Sequence, residues 1–88
     1  HDQARLLYAT LRQLRARLEA GDDRTEVIRA GLARLVEHGF KPDYLELRRA
    51  DDLGEVDAAT ADAVLLVAAH LGTTRLIDNI RVTLPSAR

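Results

Sequence analysis

The chain has 88 residues, 47% hydrophobic and 31% charged, and its thirteen Lys plus Arg against fourteen Asp plus Glu give a net charge of -1. This length allows one small domain with a modest core, burying about 60–65% of the surface its unfolded form exposes. Near-balanced charge argues against a general nucleic-acid or anionic-membrane binder, and the lack of cysteine excludes a disulfide framework, a thiolate zinc site and a cysteine nucleophile.

The first segment, Asp2 to Ala20, reads as an amphipathic helix. At ~100° per residue Ala4, Leu7, Leu11, Leu14 and Leu18 form one narrow stripe, with Arg5, Arg12, Gln13 and Arg17 off it. Asp2 is placed to cap it, and Gly21 with Asp22 ends the pattern. Asp23-Arg24-Thr25-Glu26 then has the form of a capping box and opens a second helix running to about His38. Val27, Ile28, Gly31, Leu32, Leu35 and Val36 are expected on its buried face, with Glu26, Arg29, Arg34 and Glu37 in water. Gly39 fits a left-handed C-cap, Phe40 its hydrophobic contact, and Pro42 prevents continuation. A helical hairpin is the expected product.

Beyond Pro42 the period changes. Tyr44-Leu45-Glu46-Leu47-Arg48 alternates as a half-buried strand does. Asp51-Asp52-Leu53-Gly54 reads as a turn, and Asp57 to Asp62 as a loop or one helical turn. Ala63 to Leu71 is ambiguous. Its alanines and leucines favour helix, yet Val64-Leu65-Leu66-Val67 is a short apolar run that suits a covered strand. Thr74 to Ile77 and Ile80 to Leu84 are β-like, with a tight Gly72-Thr73 turn before them. Propensity alone leaves helix and strand open for 63–71.

Among the polar residues, Arg75, Asp78 and Asn79 are the candidates for ligand contact. On a strand Arg75 and Asn79 share one face and Asp78 points to the other. An arginine near a hairpin turn has the donor fork to reach a phosphate. The competing and stronger reading is structural: Asp78 and Asn79 satisfy backbone groups and Arg75 pairs with a carboxylate. His70 is read as a strand histidine, since a general base would need a positioned partner that the sequence does not supply. His38, in a last helical turn, suits the helix dipole. Asp22-Asp23 and Asp51-Asp52 fall in turns, where adjacent aspartates cap helices or bend the chain more often than they bind magnesium.

The three histidines, His1, His38 and His70, lack metal-ligand spacing, and no metal site is expected. Ala63 to Ala69 is too short to span a bilayer, and the polar amino terminus is not a signal peptide. A start on His1 rather than Met is read as an excised piece of a longer chain, with a cytoplasmic default. Arg5, Arg12, Arg15 and Arg17 spread over more than one helix face without aromatic company, so a nucleic-acid surface is not expected. None of the five glycines is spaced as a phosphate loop.

The stretch Leu66-Val67-Ala68-Ala69-His70-Leu71-Gly72-Thr73-Thr74-Arg75-Leu76-Ile77-Asp78-Asn79-Ile80 resembles, nearly residue for residue, the end of the pantothenate synthetase (pantoate–β-alanine ligase) family. Asp43-Tyr44-Leu45-Glu46-Leu47-Arg48, followed by Ala50-Asp51, resembles the family's preceding strand. The resemblance covers essentially the whole chain but only the carboxy-terminal third of such an enzyme. It implies an antiparallel hairpin over 63–84, and hence an α+β fold: a helical hairpin (1–41) packed on a three-stranded antiparallel sheet (43–84), with a tail at 85–88. The helices would cover one sheet face. The other carries alternate residues of an almost wholly apolar central strand, so a further layer is expected there.

The family joins pantoate to β-alanine through a pantoyl adenylate, using ATP and Mg2+. The resemblance implies those ligands for the whole enzyme and none bound by this piece. The family's His-x-Gly-His motif and Ser-Ser-Arg-Asn segment are absent; the only serine is Ser86. No catalytic residue therefore carries over, and the implied role is a lid over a cleft in an amino-terminal nucleotide-binding domain. Arg75, Asp78 and Asn79 would face that domain. The whole enzyme would be a cytoplasmic homodimer. Two other readings are a stand-alone module dimerising through the open sheet face and a helical nucleic-acid binder using Arg5, Arg12 and Arg15.

Overall fold

The computed structural model describes residues 2–85, and the expected tail beyond Pro85 lies outside them. Helices α1 (Asp2–Glu19) and α2 (Arg24–Glu37) precede strands β1 (Lys41–Arg49), β2 (Asp62–Leu71) and β3 (Thr74–Thr83). The strands form one antiparallel sheet in the order β1-β2-β3, so the apolar strand is central. The α+β fold expected from the resemblance is the fold observed.

Local chemistry ends each helix. Gly21 and Gly39 have φ of 91° and 88°, the left-handed conformation that glycine adopts without a Cβ clash. At the second, Phe40 N–H donates to Leu35 O and Gly39 N–H to Val36 O, both at 2.9 Å, closing a Schellman motif with the Phe40 ring buried. The same pair of bonds runs from Asp22 and Gly21 to Arg17 and Leu18 after α1. Asp23 caps α2 by accepting from Glu26 N–H at 3.0 Å. The reciprocal half of the capping box is not made, because the Glu26 carboxylate turns to Arg29. Asp2 lies within the first turn of α1, rather than ahead of it as a cap.

Burial corrects the helical faces in three places. Ala4 sits a turn before the first buried residue and is exposed, while Thr10 is buried, its hydroxyl bonded back to Leu6 O at 3.0 Å. Val36 is 61% exposed; at ~100° per residue it lies roughly 140° from the midline of Val27, Gly31 and Leu35. Arg34 borders that midline on the other side and is half-buried rather than wet.

Strand β1 starts at Lys41, two residues before the sheet was expected. Pro42 is tolerated because β1 is an edge strand and a register shift follows between Pro42 and Tyr44. Strand β2 starts at Asp62, so the loop ends earlier than expected. In that loop Thr60 is buried and its hydroxyl donates to Asp57 Oδ1 at 3.1 Å. β3 is continuous through Asp78 and Asn79. Gly72 has φ of 62° and Thr73 does not share the positive φ, the pattern of a type II′ hairpin turn.

Both helices pack on one face of the sheet, α1 over β3 and α2 over β1. Leu7, Leu11, Leu14 and Leu18 of α1 and Val27 and Leu35 of α2 meet Leu45, Ala63, Leu65, Val67, Ala69, Ile80 and Val82 there. Thr83 N–H donates to Glu19 Oε2 at 2.8 Å, fixing the end of α1 to the end of β3. With rises of about 1.5 Å per helical and 3.3 Å per strand residue, α1 runs the length of β3. Its start therefore lies at the hairpin-turn end.

The outer face is less naked than the sequence implies. Val64 is flanked in register by Arg48 and Arg81, and Ala68 by Tyr44 and Ile77. Between those taller side chains Val64 and Ala68 are 7% and 0% exposed without a further layer. Ile77, at 64%, stays open.

Candidate functional site

The antiparallel registers bring residues far apart in sequence to one spot beside the Gly72-Thr73 turn. Lys41 of β1 lies opposite His70 of β2, and His70 opposite Arg75 of β3. Directly opposed residues in a sheet share a face. The three basic side chains thus form one row across the outer face. Asp43, at the β1 register shift, turns its carboxylate into this row. One oxygen, Oδ2, accepts from Arg75 Nε at 2.9 Å and lies 3.2 Å from His70 Nε2.

This geometry sets the electrostatics. The Arg75 hydrogen bond, against partial desolvation and helped by His70, holds the Asp43 carboxyl below the usual carboxylate range. Asp43, His70 and Arg75 side chains are 37%, 39% and 45% exposed, so the cluster is open to solvent and to ligand. Arg75 donates to Asp43 through Nε, and among the described residues its Nη1 and Nη2 make no hydrogen bond and the Lys41 ammonium has no hydrogen-bond or ion-pair partner.

The three candidates read from sequence do not converge. Arg75 joins the row just described. Asn79 is on the same face, opposite Leu66 and exposed. Asp78 points to the helix-covered face, half-buried opposite Val67, and its Oδ1 accepts from Asn79 N–H at 2.8 Å. Two members of the cluster escaped the sequence reading. His70 does have a positioned carboxylate, and Asp43 supplies it from 27 positions upstream. No local spacing signals this; only the paired register of three strands does.

A second concavity, of about 550 Å³, opens between the start of α2 and β1. Ile28, Leu47 and Val56 line it, with Arg24, Arg48, Glu46 and Glu55 beside them. Arg24 Nη1 donates to Asp57 O at 3.3 Å, and Arg48 pairs with Glu46.

The paired aspartates serve turns. Asp51 takes a bidentate pair of bonds from Arg49 Nε and Nη2, at 3.2 and 3.0 Å, and its carboxyl is lowered to about 2. Asp52 Oδ1 accepts from Gly54 N–H at 2.8 Å. Among the described residues no three His, Asp or Glu side chains gather to hold a metal. Acids committed to arginine and backbone donors do not fit a magnesium site. No helix among them is long and apolar enough to cross a membrane.

Comparison with known proteins gives a consistent result. Residues 1–81 match the family model for pantoate-beta-alanine ligase. The chain is 60% identical over 83 residues to a pantothenate synthetase of Chromohalobacter salexigens, covering 94% of this chain and 29% of that protein. With the pantothenate synthetase of Alkalilimnicola ehrlichii it shares 52% over 81 residues, covering 89% and 28%. The crystal structure of pantothenate synthetase from Thermus thermophilus superposes with a TM-score of 0.75 at 31% identity, over 90% of this chain and 29% of that one. The chain thus spans under a third of these relatives' length and matches their carboxy-terminal part.

Proposed function

This chain belongs to the pantoate–β-alanine ligase family, and from that premise we propose that it is the lid domain of such an ATP-dependent ligase. In the proposed reaction the pantoate carboxylate attacks the α-phosphorus of ATP and releases pyrophosphate. The β-alanine amine then attacks the acyl carbon of the adenylate, forming the amide of pantothenate and releasing AMP. ATP, Mg2+, pantoate and β-alanine are assigned to the whole ligase, in the cleft that this domain would cover.

The observation that carries this reading is the family match along residues 1–81, joined to a likeness of fold over 90% of the chain. The domain's contribution is to cover the cleft. An acyl adenylate is hydrolysed by water, so a lid that excludes water raises the share that reaches the amine. The topology supports the orientation proposed. The rest of a longer ligase chain would join through the start of α1, which lies at the hairpin-turn end of the sheet. Gly72, Thr73 and Arg75 are then the residues nearest the larger domain, with Asn79 further along the same face. Cytoplasmic location and homodimerisation through the larger domain complete the proposal.

The test is a ligase chain carrying these residues, supplied with ATP, Mg2+, pantoate and β-alanine. Formation of pantothenate with an equal amount of AMP is expected. Absence of product from the folded protein would sink the reading.

A further inference from the structure

We propose that the row of Lys41, His70 and Arg75 is a binding site for an oligophosphate chain, of the kind a nucleoside triphosphate carries. The site deepens the ligase reading, but the observations behind it are the register and the charges. One basic side chain comes from each strand, in line across the sheet. With neighbouring strands about 4.8 Å apart, the row spreads donors over roughly 10 Å. A string of phosphates can meet such a row, whereas a single carboxylate can face only part of it.

Asp43 shows both what the row accepts and what it leaves unused. Its one oxygen serves Arg75 Nε and His70 Nε2. Among the described residues the two terminal nitrogens of the Arg75 fork make no hydrogen bond, and the Lys41 ammonium has no hydrogen-bond or ion-pair partner. With His70 neutral, Lys41 and Arg75 against Asp43 leave a local charge of +1 (two positive, one negative), on a chain whose net charge is -1. Elsewhere on the outer face arginines are matched one to one: Arg48 with Glu46 and Arg81 with Asp62. The positive surplus of that face sits at the hairpin-turn end. Arginine supplies planar two-point recognition of phosphate and lysine a mobile point charge. The adjoining row, Tyr44, Ala68 and Ile77, is a partly apolar shelf on which a nucleoside could rest.

The test is an NMR titration of the isotope-labelled 88-residue chain with sodium tripolyphosphate at low salt. Saturable shifts centred on Lys41, His70, Arg75 and the Gly72-Thr73 turn are expected, diminishing as salt is raised. Lys41→Ala should weaken the apparent affinity by roughly twofold to fivefold, as loss of one solvent-screened charge contact does. Asp43→Asn should strengthen it by removing the competing carboxylate. ATP and adenosine arms separate the sources: added shifts at Tyr44 and Ile77 with ATP assign a nucleotide, and ATP indistinguishable from tripolyphosphate assigns a free phosphate chain. Absent shifts, shifts spread evenly over Arg5 and Arg12 as well, or no effect of Lys41→Ala would overturn the site. Because this chain's own spectrum is read, failure here leaves the ligase assay untouched.

Discussion

Gly31 of α2 approaches Leu14 of α1 so closely that a Cβ on it would stand 2.5 Å from Leu14 Cδ1, and 2.8 Å from Leu45 Cδ2 on the sheet. The missing side chain lets α2 settle against α1 and β1 at once. Its φ is ordinary for a helix, so close approach rather than conformation demands glycine here.

Gly31→Ala sets two effects against each other. Alanine improves helix propensity by about 1 kcal/mol. Overpacking a filled core costs about 1–3 kcal/mol, and Leu14 and Leu45 are both nearly fully buried. The second should win, with a net loss of about 1 kcal/mol in urea unfolding. A variant as stable as the parent would show that both leucines repack freely.

Leu53 has φ of 59° and is 54% exposed. A left-handed residue with a branched side chain costs about 1–2 kcal/mol, and asparagine tolerates the conformation better. Relief of that strain is partly offset by losing the covered half of the leucine, so Leu53→Asn should raise stability by roughly 0.5 kcal/mol. A lower melting temperature would mean that the Leu53 side chain holds the turn.

Acid should weaken the fold by a route that the ion pairs specify. Asp43 is lowered chiefly by Arg75, Asp51 by Arg49, Glu26 by Arg29, and Asp57 chiefly by the Ala59 N–H. A folded-state pKa below the unfolded one gives stability that is fully present above the unfolded value and lost as pH falls through the folded one. The melting temperature should stay flat down to about pH 5 and decline below about pH 4. Added salt should flatten the decline, because these groups are exposed. A fall already complete at pH 5 would contradict the assignment.

Much of this fold was legible because its signals are local. Gly39, Phe40 and Pro42 mark the end of α2, and Asp23 marks its start. The 63–71 segment was not legible from propensity, since a central strand covered on both sides shows no alternation and its residues also suit a helix. Resemblance decided it, and the structure agrees. Val36 and Arg34 were misplaced because a one-residue error in the width of a helical face spans about 100°. The Asp43, His70 and Arg75 cluster was illegible for another reason. Its members come from three strands, and a β1 register shift that no residue pattern announces sets how Asp43 meets the others.

Shielding of the adenylate is tested most directly by counting products in a ligase whose carboxy-terminal part is this chain, before and after that part is removed. Pantoate-dependent exchange of pyrophosphate into ATP reports whether the remaining domain still works. With exchange retained, removal should yield AMP in excess of pantothenate, as water takes the unprotected intermediate. AMP and pantothenate still released in equal amounts at undiminished turnover would contradict the lid.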